Sequence, residues 1–215
     1  MRVFSSVQGT TRDGRIEETA AIAGEAAKLV GRHGGDVRFL VVTAGDAANT
    51  TLFNVEYESP EAMGRAFDKL IADPELAAFT SRVNGPESPS AIGAESIGME
   101  VPTGRTPKAG RGSIVEVHSS MPKPGRMEQV IAESAEVCEF VEAHGAVNAR
   151  LVQLTYAGPV TGMTALTWEH ENWAAHARMS EAWFSPAGLA LQAKFASLDP
   201  ASVPVAGALY NDIPL

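Results

Sequence analysis

The segment Gly14–Gly34, GRIEETAAIAGEAAKLVGRHG, returns 111 residues later as Gly125–Gly145, GRMEQVIAESAEVCEFVEAHG. Both copies open with Gly-Arg, carry glutamates at equivalent places and close with His-Gly. A glycine just after a helix supplies the left-handed conformation that ends it, so each copy predicts one helix, over about Arg15–His33 and Arg126–His144. A repeat of this length decides the fold, because both copies must form the same supersecondary unit.

The repeat continues on both sides of these helices. The predicted strands are Arg2–Gln8, Val37–Thr43, Thr50–Tyr57 and Ser96–Val101 in the first copy, and Ser113–Ser120, Ala149–Thr155, Met163–His170 and Val205–Asn211 in the second. A second helix is predicted from about Pro60 to Val83 and from about Trp173 to Phe195, interrupted at Pro74 or Pro186. Each copy therefore has the order βαββαβ.

This order is that of a ferredoxin-like unit, a four-stranded antiparallel sheet with both helices on one face. The other face of the sheet is bare and needs cover. Two such sheets laid face to face cover one another, so we predict an α+β fold in which two tandem repeats form one closed barrel. The repeats span residues 1–101 and 113–215, and the Gly- and Pro-rich segment 102–112 is a linker.

Composition excludes several classes of function. The 215-residue chain is 45% hydrophobic, with a formal net charge of −9. Such an acidic chain lacks the basic surface that binds nucleic acid or an anionic membrane. No apolar run is long enough for a membrane span, and the N-terminus turns polar too early for a signal peptide. The single cysteine, Cys138, cannot form an internal disulfide and reads as a small buried residue, so we expect a cytoplasmic protein.

Two pairs of segments resemble one known superfamily. The openings SSVQGTTRDGRIEE and HSSMPKPGRMEQ each place a strand before a polar turn and Gly-Arg-Ile/Met-Glu. The segments YESPEAMGRAFDKLIADPELAAF and HENWAAHARMSEAWFSPAGLALQ look like its second helix. The resemblance is to the dimeric α+β barrel superfamily, which includes antibiotic-biosynthesis monooxygenases, muconolactone isomerase, EthD-like and NIPSNAP-like proteins and the haem-binding chlorite dismutases.

The resemblance covers nearly the whole chain, but the superfamily has no shared catalytic motif, so it indicates a fold more strongly than a reaction. It implies a small-molecule enzyme, either a cofactor-independent monooxygenase or an isomerase. The alternative is a non-catalytic NIPSNAP-like protein that binds a metabolite or haem without turnover. A third possibility is a scaffold whose barrel packs solid.

Histidines and tryptophans are concentrated in the second copy. All three tryptophans and four of the five histidines lie there. The residues His118, His170, His176 and Trp183 replace Val7, Tyr57, Met63 and Leu70 of the first copy. Buried polar groups cost stability unless they are hydrogen-bonded, so a layer that gains several of them indicates a use.

We therefore predict a pocket between the sheet and the helices of the second copy, beside His176. The histidines His118, His170 and His176 would be acid–base or oxyanion-binding groups. The aromatic residues Trp168, Trp173, Trp183 and Tyr156 would bind the substrate, a small apolar or aromatic molecule. In the competing interpretation, His118 and His170 are satisfied surface or interface residues and the tryptophans are core.

The remaining polar residues considered for the site are carboxylates on the strands and histidines at helix ends. Glu116 shares a strand face with His118 and can orient it. Glu169 has an equivalent, Glu56, in the copy that lacks the histidines, which favours a structural role for both. His33 and His144 stand at helix ends, where the helix dipole favours them, and are expected to have no catalytic role.

No resident cofactor is expected, because Walker, dinucleotide and Ser-His-Asp patterns and a close His-x-x-x-His pair are missing from the sequence. Two alternatives stay open. The resemblance to chlorite dismutases implies haem held through a helix histidine of the second repeat, which would be His176. Three histidines and a carboxylate can also hold a metal ion. Fusion of two units can satisfy internally the pairing that separate chains meet by dimerising, so the protein is expected to be a monomeric barrel or a homodimer.

Overall fold

The computed structural model describes residues 1–196 and 199–215. In residues 1–101, here called the first half, the elements are β1 (Val3–Thr11), α1 (Ile16–Gly31), β2 (Asp36–Ala44), β3 (Thr50–Tyr57), α2 (Pro60–Ala72), α3 (Pro74–Val83) and β4 (Ser90–Val101). In residues 113–215, the second half, they are β5 (Ile114–Pro122), α4 (Met127–Ala143), β6 (Val147–Tyr156), β7 (Thr164–His170), α5 (Trp173–Trp183), α6 (Pro186–Phe195) and β8 (Ser202–Ile213). The predicted α+β fold is confirmed, and residues 102–112 contain no helix or strand.

The breaks predicted at the two prolines divide each second helix into two helices. The side chain of Asp73 accepts a hydrogen bond from Glu75 N (2.9 Å) and starts α3, and Ser185 caps α6 in the same way. A proline at the first helical position loses nothing, because its missing N–H would have had no partner there. The last strand of each half begins earlier than predicted, at Ser90 and Ser202.

The long helices α1 and α4 end as the sequence indicates. Gly34 and Gly145 take positive φ angles of 95° and 100° just beyond them. His144 Nδ1 donates to the carbonyl of Phe140 in the last turn of α4 (2.8 Å), and His33 Nε2 contacts Asp73 (3.0 Å). Both histidines are thus engaged at helix ends.

The eight strands close into one barrel. Each half keeps the ferredoxin-like order, β4-β1-β3-β2 and β8-β5-β7-β6, and the halves join where β2 pairs with β8 and β4 pairs with β6. Every strand within residues 1–196 and 199–215 therefore has two neighbours, and these strands leave no row of backbone N–H and C=O groups open at an edge. The sheet faces that needed cover become the barrel interior.

Two equivalent ion pairs cross the barrel interior from one half to the other. Arg38 Nη1 lies 2.6 Å from Glu169 Oε1, and Arg150 Nη1 lies 3.0 Å from Glu56 Oε2. Burial lowers the pKa of Arg38, but Glu169 and Asp212 outweigh it, so the pKa is raised overall. The placement of Glu56 and Glu169 in matched pairs supports the structural role inferred from their equivalence.

The outer face of each sheet packs against its helices. In the second half a core cluster includes Cys138 and Val141 of α4, Trp168 of β7 and Met179 of α5. Burial raises the pKa of the Cys138 thiol to about 11. Among the described helices, none combines the length and the hydropathy that a membrane crossing requires.

Candidate active site

The carboxylate of Glu116 lies at the centre of a cluster on the helix-facing side of the second sheet. In the pairing of β5 with β7, Glu116 lies opposite Trp168 and Ile114 lies opposite His170. Because side chains alternate across a strand, Glu116, His118, Trp168 and His170 share one face. The strand pairing therefore assembles the cluster from residues that are distant in sequence.

Three N–H groups donate to this carboxylate. His118 Nε2 lies 2.8 Å from Oε1, while Trp168 Nε1 and His170 Nε2 lie 3.1 Å and 3.2 Å from Oε2. Burial raises the pKa of Glu116, but the hydrogen bonds from His118 and His170 outweigh it and lower the pKa to about 2. Glu116 is therefore ionised at neutral pH and can only accept hydrogen bonds.

The ionised carboxylate fixes the tautomers of its histidine neighbours. Since Glu116 cannot donate, Nε2 of His118 and of His170 must carry a proton in these contacts, which leaves Nδ1 of each ring for other partners. His118 has half of its side chain exposed. His170 is fully buried, and its Nδ1 has no hydrogen-bond partner among the described residues. The two rings thus present the same nitrogen to very different surroundings.

The third histidine comes from a helix. The side chain of Asn172 accepts a hydrogen bond from Ala175 N (3.0 Å), so α5 begins beside the cluster and brings His176 to it in the first turn. His176 Nε2 lies 3.6 Å from Glu116 Oε2, and its ring meets that of His170 edge-on at 5.1 Å. Burial lowers the pKa of His176, and Glu116 offsets this only in part, so the neutral imidazole is favoured.

The cavity in this half lies on the His118 side of the cluster. It has a volume of about 240 Å³ between the sheet and helices α4 and α6. His118 lines it and stacks on the Trp168 ring, with centroids 4.9 Å apart and planes 15° apart. His176 is not part of this lining, and the pocket expected beside His176 stays a prediction. The register of β5 turns His118 toward the space under α4.

The predicted site residues separate into two groups. His118, His170, His176 and Trp168 come together around Glu116, and Trp173 flanks them with its ring 5.5 Å from His176. The structure does not bring the other two aromatic residues to the cluster. Trp183 packs edge-on against Phe140 of α4 at 5.7 Å, and Tyr156 is 71% exposed at the end of β6.

Glu116 makes more contacts than the sequence predicts. It was expected to orient one histidine, whereas it contacts three histidines and an indole. The signal was present in the repeat, because Glu116 replaces Ser5 of the first copy. The strand pairing supports this equivalence, since Ser5 lies opposite Val55 as Glu116 lies opposite Trp168.

The first half has a cavity in the equivalent place but without this chemistry. It has a volume of about 370 Å³ under α1 and α3. Its described lining is mostly apolar, with residues such as Ile22, Leu29, Phe53 and Phe79, and contains no histidine. The two halves therefore have the same backbone fold but differ in the side chains between sheet and helices.

Haem does not fit the residues around the cluster. A haem ligated by His176 would need a slot beside that ring, whereas the Nε2 atom of His176 faces Glu116. The cavity of about 240 Å³ lies below the usual range for ligands of drug size, and among the described residues its lining contains no lysine or arginine to pair with propionates. A single metal ion is smaller, and one ligand atom from each of Glu116, His170 and His176 lies within 4.8 Å of the others.

Comparison with known proteins supports the fold. No protein-family model and no curated protein matches the sequence. A proposed monooxygenase from Lactobacillus acidophilus NCFM superposes with a TM-score of 0.61 at 10% identity, covering 99% of this chain and 93% of that one. An anthrone oxidase-like protein gives 0.58 at 15% identity, with coverages of 99% and 92%. A chlorite dismutase variant from Candidatus Nitrospira defluvii gives 0.55 at 10% identity, with coverages of 100% and 91%.

These similarities extend over both halves of the chain and over nearly the full length of each neighbour. At such low identity they show architecture and leave the chemistry to be argued from the site. The chain thus has the fold of the dimeric α+β barrel type, with both of its ferredoxin-like units in one polypeptide.

Proposed function

We propose that this protein is an enzyme that removes a proton from a small, largely apolar or aromatic molecule bound in the second half, as an isomerase or a monooxygenase does. The observation that carries the proposal is the Glu116–His118 pair at the cavity. A carboxylate that holds one imidazole nitrogen leaves the other nitrogen as an oriented base, which is how carboxylate–histidine pairs act in general base catalysis.

His118 is the proposed base. Its Nε2–H donates to Glu116 Oε1 (2.8 Å), so Nδ1 can accept a proton from the substrate. The imidazolium that forms is then stabilised by the charge of Glu116. Gly207 lies opposite His118 on β8, and a Cβ atom there would lie 3.4 Å from Nδ1. The glycine keeps that side of the ring uncrowded.

The cavity favours a small substrate. Its apolar wall includes Val130, Val137, Leu166 and Phe195, and its polar groups are hydroxyl groups of serines and a threonine together with the carboxylate of Glu133. Ligand sites commonly combine apolar walls with a few placed polar groups. A compact ring compound with an acidic C–H bond suits this lining, because the deprotonated carbon is flanked by a protonated His118.

Two reactions share the proton-removal step. In an isomerase, His118 returns the proton to another carbon of the same molecule, so no co-reactant is consumed. In a monooxygenase acting on a CH₂ group, dioxygen takes the electrons of the carbanion, one oxygen atom becomes a carbonyl oxygen of the product, and the other leaves as water. The names of two structural neighbours, a proposed monooxygenase and an anthrone oxidase-like protein, support including the second reaction.

The experiment that tests the proposal follows the shared step. The protein is incubated in D₂O with a panel of C–H-acidic aromatic ketones and lactones, and deuterium incorporation is measured by mass spectrometry. Replacing His118 with alanine is expected to slow exchange by about 10²- to 10⁴-fold, the usual contribution of a general base. His144→Ala is the matched control, since His144 is held at the end of α4. Equal exchange rates in the wild type and His118→Ala would refute the assignment, and oxygen consumption separates the two reactions.

A binding protein without turnover is the second candidate. The observation that favours it is the larger apolar cavity of about 370 Å³ in the first half, whose described lining has no histidine. In that case a metabolite would copurify unchanged with the protein, and native mass spectrometry would find it bound equally to His118→Ala. Binding that required His118 together with deuterium exchange would reject this candidate.

A further inference from the structure

We infer that Glu116, His170 and His176 form a binding site for one divalent first-row transition-metal ion. Glu116 belongs both to this ion site and to the Glu116–His118 pair of the proposed function. Any part that the ion plays in turnover therefore rests on the proposed function. The ion site uses different atoms, however: the ion would bind at Oε2 of Glu116, whereas His118 contacts Oε1.

The spacing of the three donors fits one ion. Glu116 Oε2 lies 3.2 Å from His170 Nε2 and 3.6 Å from His176 Nε2, and the set lies within 4.8 Å. Zinc-type ions bind such atoms at about 2.0–2.2 Å, which places neighbouring donors roughly 3.0–3.5 Å apart. The two distances to Glu116 Oε2 are close to this range, and the two histidine rings would have to close on the ion from a spacing of up to 4.8 Å.

The donors come from three separate elements that the fold holds together. Glu116 and His170 stand on the neighbouring strands β5 and β7, and His176 stands in the first turn of α5. His170 is fully buried and the other two side chains are mostly buried, so the three donors are held near one another away from solvent. In the first half the equivalent residues are Ser5, Tyr57 and Met63, so the two imidazoles and the carboxylate occur together only in the second half among these equivalent positions.

The surroundings orient the ligands. His118 and the indole of Trp168 both donate to the Glu116 carboxylate, which are the outer contacts that commonly hold a metal-binding carboxylate in place. When His170 Nε2 binds the ion, its proton moves to Nδ1, which is buried and has no partner among the described residues, so the bond to the ion must also offset the cost of an unpaired N–H there. Coordination therefore needs a change of tautomer but no new charge on the ring.

The ligand set indicates the class of ion and its role. Two imidazoles and one carboxylate with open positions suit Fe²⁺, Zn²⁺ or Co²⁺ rather than Mg²⁺ or Ca²⁺, which prefer oxygen ligands. Three protein ligands leave at least one coordination position of such an ion without a protein ligand, as in catalytic rather than structural metal sites. Such an ion, when bound, would supply Lewis acidity beside the base His118.

Cobalt binding tests the inference without any turnover. The full-length protein is dialysed against EDTA, titrated with Co²⁺, and followed by visible d–d absorption and by metal analysis. We expect one Co²⁺ per chain, and we expect Glu116→Gln and His176→Met to lose stoichiometric binding. His144→Ala is the control and should bind as the wild type does. Circular dichroism spectra verify that each variant is folded, and His176→Met introduces the residue that the first half already uses at this position.

The outcomes separate this inference from the proposed function. Absence of saturable Co²⁺ binding in the wild type, or unchanged binding in both folded variants, overturns the metal site. Deuterium exchange that depends on His118 but occurs without Co²⁺ binding overturns the metal site and leaves the proposed function intact. Stoichiometric Co²⁺ binding that the two variants abolish upholds the site even if exchange does not depend on His118.

Discussion

Replacing Arg38 with methionine would remove one side of an ion pair that joins the two halves inside the barrel. The Arg38 side chain is 13% exposed and that of Glu169 is 5% exposed. Methionine keeps the unbranched apolar stem of arginine but has no charge, so the change removes the ion pairs of the guanidinium group together with its hydrogen bond to the Gly112 carbonyl (2.7 Å). The buried carboxylate of Glu169 would then face the interior without its cation.

The expected loss of unfolding free energy depends on the hydrogen bonds that Glu169 keeps in the variant. Removing one partner of a buried ion pair usually costs about 3–5 kcal/mol, because the other charge stays buried and uncompensated. Glu169 still accepts hydrogen bonds from Gly112 N (2.7 Å) and from the Asn148 side chain, which offset part of the loss. Asp212 also loses Arg38 but keeps Arg111 at 3.3 Å. We therefore expect a loss of about 3 kcal/mol, at the lower end of the range.

The matched variant is Arg150→Met, in the equivalent pair. Its partner Glu56 is 20% exposed and keeps a second ion pair with Arg2, so we expect a smaller loss of about 1.5 kcal/mol. Both values are measured as the change in the free energy of unfolding, from urea titrations followed by circular dichroism. If Arg38→Met cost less than Arg150→Met, the reasoning about burial and residual partners would be wrong. A double variant, Arg38→Met with Glu169→Leu, should recover part of the loss.

Three other predictions concern separate parts of the fold. Because burial raises the pKa of Cys138 to about 11, only about one thiol in a thousand is ionised at pH 8. Ellman's reagent should therefore react slowly with the native protein and rapidly in denaturant. Rapid reaction in the native state would contradict the burial of this thiol. Asp73→Ala removes the cap of α3 and the contact with His33, and should lower the free energy of unfolding by at least about 1 kcal/mol in urea titrations, whereas Asp73→Ser should restore only the part due to the cap. Gly112→Ala places a Cβ atom 2.3 Å from the carbonyl oxygen of His170, so it should cost about 1–3 kcal/mol in the same assay, while Gly64→Ala, where nothing lies within 4 Å, should cost none.

The order of elements could be predicted from the sequence because its signals are local. The His-Gly pairs, the helix-breaking prolines and the strand periodicity each depend on a few neighbouring residues, and the structure has the corresponding elements. The repeat then supplied the long-range information, since an exposed sheet face needs cover and a second copy provides it. The prediction of a closed α+β barrel followed and is confirmed.

The interior contacts could not be predicted in the same way. Arg38 and Glu169 are far apart in sequence, and they meet only because β2 joins β8 when the barrel closes. The position of the cavity depends on which side of β5 faces the helices, and a strand's alternation alone does not say which face is which. For that reason the sequence predicts the histidines as a group, whereas only the structure shows the central position of Glu116 and the cavity next to His118.

The difference between the two halves has a consequence for how the molecule can evolve. An apolar layer under the helices of the first half contributes stability without restricting chemistry, while the second half carries charged and polar groups that a core would ordinarily reject. Because both halves form one barrel, the apolar packing of the first half can offset the destabilising effect of polar groups in the second half. Changes around Glu116 can therefore be tolerated that an isolated single unit would not survive.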